Sequence, residues 1–256
     1  MGASALGFDC CESIINAGHD VVGIITLPQE FEIKYKDEAD KLKVRNYLFK
    51  NFNYFNEHYG IPVFCTDGKL NDCHDQIKSL APDLILVIGW YYMIPSKIMQ
   101  LAHKGSIGIH ASLLPQYRGN APLVWAIING ETKTGVSLFY FEKGVDEGDI
   151  ISQEAFDIES KDTIKEVLEK TKVASINILL RSLPQIADGT SVRTSQDNSK
   201  ATLFPKRTPE DGLIDWNWDS EVIKNFIRAQ TKPYPGAFTI INGKKIIIWD
   251  ADVNEL

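Results

Sequence analysis

The sequence predicts an α/β protein with a mostly parallel sheet and a small, β-rich C-terminal unit. Three observations lead there. Apolar runs at 21–26 (VVGIIT), 84–89 (LILVIG) and 106–109 (SIGI) are short and nearly uninterrupted, as strands buried on both faces require. Helical patterns separate them, so crossover units join the strands. After Gly212 the pattern changes to tryptophans and two β runs around Asn242-Gly243. A chain of 256 residues has room for one sizeable α/β domain and an appendage; the expected division is 1–187, a connection over 188–211, and a small or truncated unit over 212–256.

The first helix is marked by Cys10, Cys11, Ile14 and Ile15 at helical spacing, with Gly18 closing it. It feeds directly into strand 21–26, half of a βαβ unit, so the chain is expected to begin one strand late, with its natural start ahead of Met1. Residues 29–50 read as a charged, solvated helix, and 51–60, with Phe52, Tyr54, Phe55 and Tyr59, read as surface. A helix near 70–80 leads to strand 84–89, whose carboxyl end delivers Trp90 to Pro95; open α/β sheets bind ligands beyond that end. Strand 106–109 opens into the loop that starts at His110. A helix over 122–130, a strand over 134–141, a glycine turn over 144–149, a strand over 150–156 and a long helix to about 183, begun by the capping box Thr163-x-x-Glu166, complete the alternation. In the C-terminal unit a short helix over 219–229 precedes a hairpin turning at Asn242-Gly243.

A formal charge of −7 argues against long nucleic acid as a partner, because neutralising many phosphates needs a basic footprint. Cys10, Cys11, Cys65 and Cys73 contain no C-x-x-C pair, and an adjacent pair suits neither an ordinary disulfide nor zinc. A reducing, cytoplasmic compartment and no metal are therefore expected. No apolar run approaches the ~18 residues of a membrane span, and the start lacks a basic stretch leading into an apolar core, so neither a membrane segment nor a signal peptide is expected.

Among the histidines only His110 stands where a buried strand opens into a glycine- and proline-rich loop. Asp146, in the turn G-V-D-E-G-D, either caps its own loop or pairs with that imidazole. Pairing would fix the tautomer and raise basicity, as a base for an incoming amine requires.

These fragments combine: H-x-S-L-L-P-x-Y-R-G at 110–119, Asn129-Gly130 at a helix end, T-G-V at 134–136 and G-V-D-E-G-D-I at 144–150. Together they resemble the 10-formyltetrahydrofolate-dependent formyltransferases, from Gly2 to about Asp252, with residues 210–216 similar to that family's entry into its second domain. The resemblance implies a Rossmann-like formyltransferase domain, a one-carbon transferase, 10-formyltetrahydrofolate as co-substrate and no metal. It also implies a triad of Asn, His and Asp. His110 and Asp146 match, while Gly108 stands where asparagine is usual. An amide there would donate to the oxyanion of the tetrahedral intermediate, a contribution of roughly 3–4 kcal/mol. Three outcomes follow: another donor substitutes, Asn120 being one option; or activity is compromised, and asparagine at 108 would raise it; or glycine is needed for close backbone approach, in which case asparagine at 108 crowds the site. The resemblance places the folate against Tyr92, Met93 and Ile94, against Ser112, Leu113, Leu114 and Pro115, and against Glu142, Lys143, Gly144 and Val145, with Asn120 nearby. Met93, Ile94, Leu113 and Leu114 have the alternative fate of plain core.

The implied chemistry is attack of a neutral primary amine on the formyl carbon, His110 receiving the proton and Asp146 steadying the imidazolium. The small hairpin unit resembles formyltransferases that modify amino-sugar nucleotides, so a sugar-nucleotide amine is the expected acceptor. Methionyl-tRNA is the alternative. The relatives that formylate it share a glycine-rich basic loop, whereas residues 29–50 hold six basic residues (Lys34, Lys36, Lys41, Lys43, Arg45, Lys50), five acidic ones (Glu30, Glu32, Asp37, Glu38, Asp40) and no glycine. A formyltetrahydrofolate hydrolase and a non-catalytic folate-binding protein stay open, as does the oligomeric state, a homodimer included.

Overall fold

The computed structural model describes residues 1–33 and 42–254. Helix α1 (Ala5–Asn16) is followed by strands β1 (Ile24–Thr26), β2 (Glu30–Ile33) and β3 (Leu42–Arg45), helix α2 (Asn53–Tyr59), β4 (Val63–Cys65), α3 (His74–Ser79), β5 (Ile85–Ile88) and α4 (Ser96–Met99). Then come β6 (Ser106–His110), β7 (Arg118–Gly119), α5 (Pro122–Ile128), β8 (Lys133–Tyr140), β9 (Ile150–Asp157), α6 (Ile164–Asp188), β10 (Leu203–Phe204), α7 (Ser220–Arg228), β11 (Ala237–Ile241) and β12 (Lys244–Ile248). Two compact units result: Met1–Ile109, Leu138–Ser152 and Ser175–Ser195 form the first, and His110–Ser137, Gln153–Ala174 and Gln196–Leu256 the second.

In the first unit β1 pairs in parallel with β4, and β5 in parallel with β6. Met1 and Gly2 lie between these pairs: the Met1 amino group donates to the Leu86 carbonyl, and Gly2 donates to the Ile25 carbonyl and bridges Ile88. The sheet runs on in the order β5-β6-β8-β9. Ile25, Leu70, Ile77, Ile85, Val87 and Ile98 are buried together on it, which is why the strands could be read from unbroken apolar runs.

Two stretches differ from expectation. Within 29–50, Glu30–Ile33 and Leu42–Arg45 are paired antiparallel strands instead of helix, with Glu30 opposite Arg45 and Glu32 opposite Lys43. Phe31 and Ile33 alternate inward, buried with Ala3 and Leu27, and the Phe31 ring lies 5.0 Å from that of Tyr91 and 5.8 Å from that of Tyr92. Burial at a period of two outweighs the helical look of the charges. Lys34, Lys36, Asp37, Glu38, Asp40 and Lys41 fall outside the described residues. Residues 51–60 are not all surface either: Phe52 and Phe55 are buried with Phe8 and Ile24, the Phe8 ring 5.6 and 4.6 Å from theirs. Tyr59 remains exposed.

The second unit has its own core of Leu123, Val124, Ile127, Ile158, Ile164 and Val167. The Thr163 N–H donates to Glu166 Oε2 at 2.9 Å and opens α6, which runs past Pro184 to Asp188, beyond its expected end. Ile214, Phe226, Ile227 and Ala237 are buried together beside the antiparallel pair β11 and β12. The turn between those strands has φ of 53° at Asn242 and 73° at Gly243, the mirror-image turn whose twist suits a hairpin.

No described helix is long and apolar enough to cross a membrane. The cysteines are free thiols; burial pushes Cys10 up to about 12 and Cys11 up to about 11, while Cys65 is exposed. The thiolate is the reacting form. Alkylation of the folded protein followed by peptide mass mapping is therefore expected to modify Cys65 first and Cys10 only after unfolding. Equal rates at the two would contradict the packing of α1.

Candidate functional site

Strand β6 ends at His110, which is buried. Its Nε2 lies 2.7 Å from the Tyr117 carbonyl oxygen. A carbonyl only accepts, so Nε2 carries the proton and, in the neutral ring, Nδ1 holds the lone pair. Tyr117 presents that carbonyl from a left-handed backbone, φ 57°, which costs on the order of 1 kcal/mol and must be held from outside. The holding groups are visible. The Tyr117 N–H donates to Thr202 Oγ1 at 2.8 Å, and its ring stacks on Phe204 with centroids 4.6 Å apart and planes 6° from parallel. The Tyr117 hydroxyl donates to Glu131 Oε1 at 2.6 Å, and burial followed by that bond pushes its pKa up to about 12. Next to it Arg118, buried, reaches Gln196 Oε1 and Asn198 Oδ1.

The loop between His110 and Tyr117 is tied to a serine. Ser137 Oγ donates to the Ser112 carbonyl at 2.7 Å and accepts from the Leu114 N–H at 3.0 Å and from Gln153 Nε2 at 2.8 Å. Gln153 Nε2 also donates to the Leu114 carbonyl, and Ser112 Oγ to that of Gln116. Leu114 and Ser112 are buried, Leu113 and Pro115 are half-buried, and Asn120 is exposed with its N–H donated to the Phe204 carbonyl. Ser137 and Gln153 sit in the bodies of β8 and β9, and no local motif flags them.

The other expected residues belong to the first unit. A cavity of about 540 Å³ there is lined by Met99, Ser106, Tyr140, Phe141, Glu142 and Arg193 among others, a size suited to a small ligand. Of the expected folate contacts, Glu142 and Lys143 line it. The Arg193 guanidinium lies 3.9 Å from the Tyr140 ring centroid, and its Nε lies 3.3 Å from Asp149 Oδ2. Asp149 also accepts from Ser195 Oγ, so the last aspartate of the glycine turn anchors the cavity edge, a part the sequence did not reveal. Asp146 is half-buried with φ 53°. Tyr92 turns toward the hairpin, its hydroxyl donating to the Glu32 carbonyl at 2.8 Å; Met93 is exposed and Ile94 is buried in the core. Gly108 is buried beneath Phe141.

A parallel α/β sheet with glycine-bounded polar loops at its strand ends defines a Rossmann-like protein. The chain belongs to the formyltransferase family: residues 10–183 match the family described as formyl transferase, and residues 206–256 match its C-terminal domain. It is a transferase that moves a formyl group from formyl-folate. A methionyl-tRNA formyltransferase of Alkaliphilus oremlandii is 34% identical to it over all of this chain and 79% of its own length. The bifunctional polymyxin resistance protein ArnA of Wigglesworthia glossinidia brevipalpis is 36% identical over 97% of this chain and 36% of its own length. Among solved structures, an N-formyltransferase from Helicobacter canadensis, in complex with folinic acid and dTDP-3-aminofucose, shares the fold with a TM-score of 0.65 at 21% identity, over 96% of this chain and 84% of that one.

Ser137→Ala removes the hydroxyl that satisfies the Leu114 N–H and the Ser112 carbonyl. Stranding buried polar groups costs about 1–3 kcal/mol, so the variant is expected to unfold at lower denaturant with an unchanged slope. Chemical denaturation followed by tryptophan fluorescence measures this. A midpoint equal to that of the unmodified protein would show that the loop does not depend on the serine.

Proposed function

We propose that this formyltransferase uses 10-formyltetrahydrofolate to formylate the primary amine of an amino-sugar nucleotide. The observation that carries the acceptor is the charge arrangement of the β2–β3 hairpin: Lys43 faces Glu32 and Arg45 faces Glu30 in register. Basic groups set opposite acids on the same hairpin leave little net field for a polyanion. The formal charge of −7 points the same way, since a nucleotide diphosphate asks for far fewer cations than a tRNA. An amino-sugar nucleotide is also what the Helicobacter canadensis enzyme holds.

In this reading the amine attacks the formyl carbon and His110, oriented by its contact with the Tyr117 carbonyl, takes the proton. The resulting imidazolium keeps that bond and strengthens it, since a charged donor binds a carbonyl more tightly. Asp146 is the carboxylate that the family pattern assigns to steadying the imidazolium. Glu142 and Lys143, on the cavity wall, together with Gly144, Val145, Tyr92, Met93, Ile94, Ser112, Leu113, Leu114, Pro115 and Asn120, are proposed folate contacts. A second reading, methionyl-tRNA as acceptor, is favoured by the 34% identity of the Alkaliphilus enzyme over the whole chain.

Incubation with 10-formyltetrahydrofolate and a panel of amino-sugar nucleotides, alongside methionyl-tRNA, is expected to add the mass of one formyl group to a sugar nucleotide. Formylation of the tRNA alone would move the protein to the second reading. Formate release without an acceptor would make it a hydrolase. With the accepted amine in hand, His110→Ala and Asp146→Asn are each expected to lower turnover by roughly 10²–10⁴-fold, while far-ultraviolet circular dichroism stays that of the native protein. Near-normal turnover by either variant would remove the role given to that residue.

A further inference from the structure

Gly108 is where this chain departs from the Asn-His-Asp pattern, and its surroundings explain why nothing larger stands there. It is buried in β6 opposite Val87 of β5. A Cβ on it would lie 2.3 Å from Cε2 and 2.8 Å from Cζ of the Phe141 ring, and 2.7 Å from the Val87 carbonyl oxygen. Such separations are well inside the ~3.5 Å of good carbon contacts, so a side chain at 108 must push something aside. Phe141 is poorly placed to yield. Its N–H donates to the Ser106 carbonyl at 2.8 Å, its ring packs 5.1 Å from that of Phe139 and against the core of the first unit, and it lines the cavity beside Ser106 and Glu142.

We propose that Gly108 and Phe141 act as one size-exchanged pair, in which Phe141 is a positioning residue: its ring fills the space an asparagine side chain at 108 would need and holds the cavity wall in its place. Formyl transfer in this chain then proceeds without a side-chain amide at 108, and an asparagine introduced alone displaces the ring instead of supplying a donor. The kinetic part rests on the formyl-transfer reading, whereas the steric part rests on geometry alone.

Wild type, Gly108→Asn, Phe141→Ala and the double variant form a cycle that separates the two parts. Melting temperature reports the steric coupling, and calorimetric titration with tetrahydrofolate reports the cavity. Gly108→Asn is expected to melt roughly 5 °C or more below wild type, as overpacked cores do, and to bind tetrahydrofolate about tenfold more weakly. Phe141→Ala is expected to weaken tetrahydrofolate binding by a similar factor through loss of an aromatic face. In the double variant both losses should be smaller than the sum in melting temperature and the product in affinity, because the ring that clashes is gone. Independent losses would overturn the pair, and so would a Gly108→Asn protein that melts and binds like wild type or transfers formyl faster than it. If wild type itself does not bind tetrahydrofolate, the folate reading of the cavity fails on that titration alone. Coupled melting temperatures would then still support the steric pair, and additive ones would still overturn it.

Discussion

His110 leaves a buried strand with its Nε2 at hydrogen-bond distance from the Tyr117 carbonyl, and that bond fixes how the ring is turned. Much of the second unit around it serves to keep the acceptor in place. Tyr117 is held in a left-handed conformation by Thr202, by the stack on Phe204 and by Glu131. These partners come from distant points in the chain, so the fold must be formed before the histidine is oriented. Such a site is set in advance of substrate, which is the arrangement from which a positioned base gains most.

The same economy of backbone appears along β6 and β8. Gly108 lets Phe141 lie directly over β6, and Ser137 lets the loop after His110 fold onto β8. A methyl group at the first position and a missing hydroxyl at the second would be felt at once, because close-packed interiors have no slack to absorb either. Chemistry and stability therefore draw on the same few contacts in β6 and β8.

The strands and helices that bury an unbroken apolar face were legible in the sequence, as 84–89 and the Asn242-Gly243 hairpin illustrate. The paired strands 30–33 and 42–45 were not, because each is only four residues long and the partners that make burial worthwhile, Tyr91 and Tyr92, lie far along the chain. Phe52 and Phe55 were misread as surface for the same reason, their partner being Phe8. Within the candidate site, the loop at 110–119 and the turn at 144–150 announce themselves by motif. Ser137, Gln153, Phe141 and Arg193 do not, since each looks like an ordinary strand or turn residue until the chain folds. The absent asparagine was visible as an anomaly at Gly108, but the ring that a side chain there would meet was not, because nothing local in the sequence connects that glycine to Phe141.

The most direct test is of the bond that orients His110. Nitrogen-15 NMR of the histidine side chains, with His110→Ala to assign the signal, should show the neutral ring of His110 protonated at Nε2 and bare at Nδ1, as donation to the Tyr117 carbonyl requires. A neutral His110 ring carrying its proton on Nδ1 would contradict it, since Nε2 could not then donate to that carbonyl.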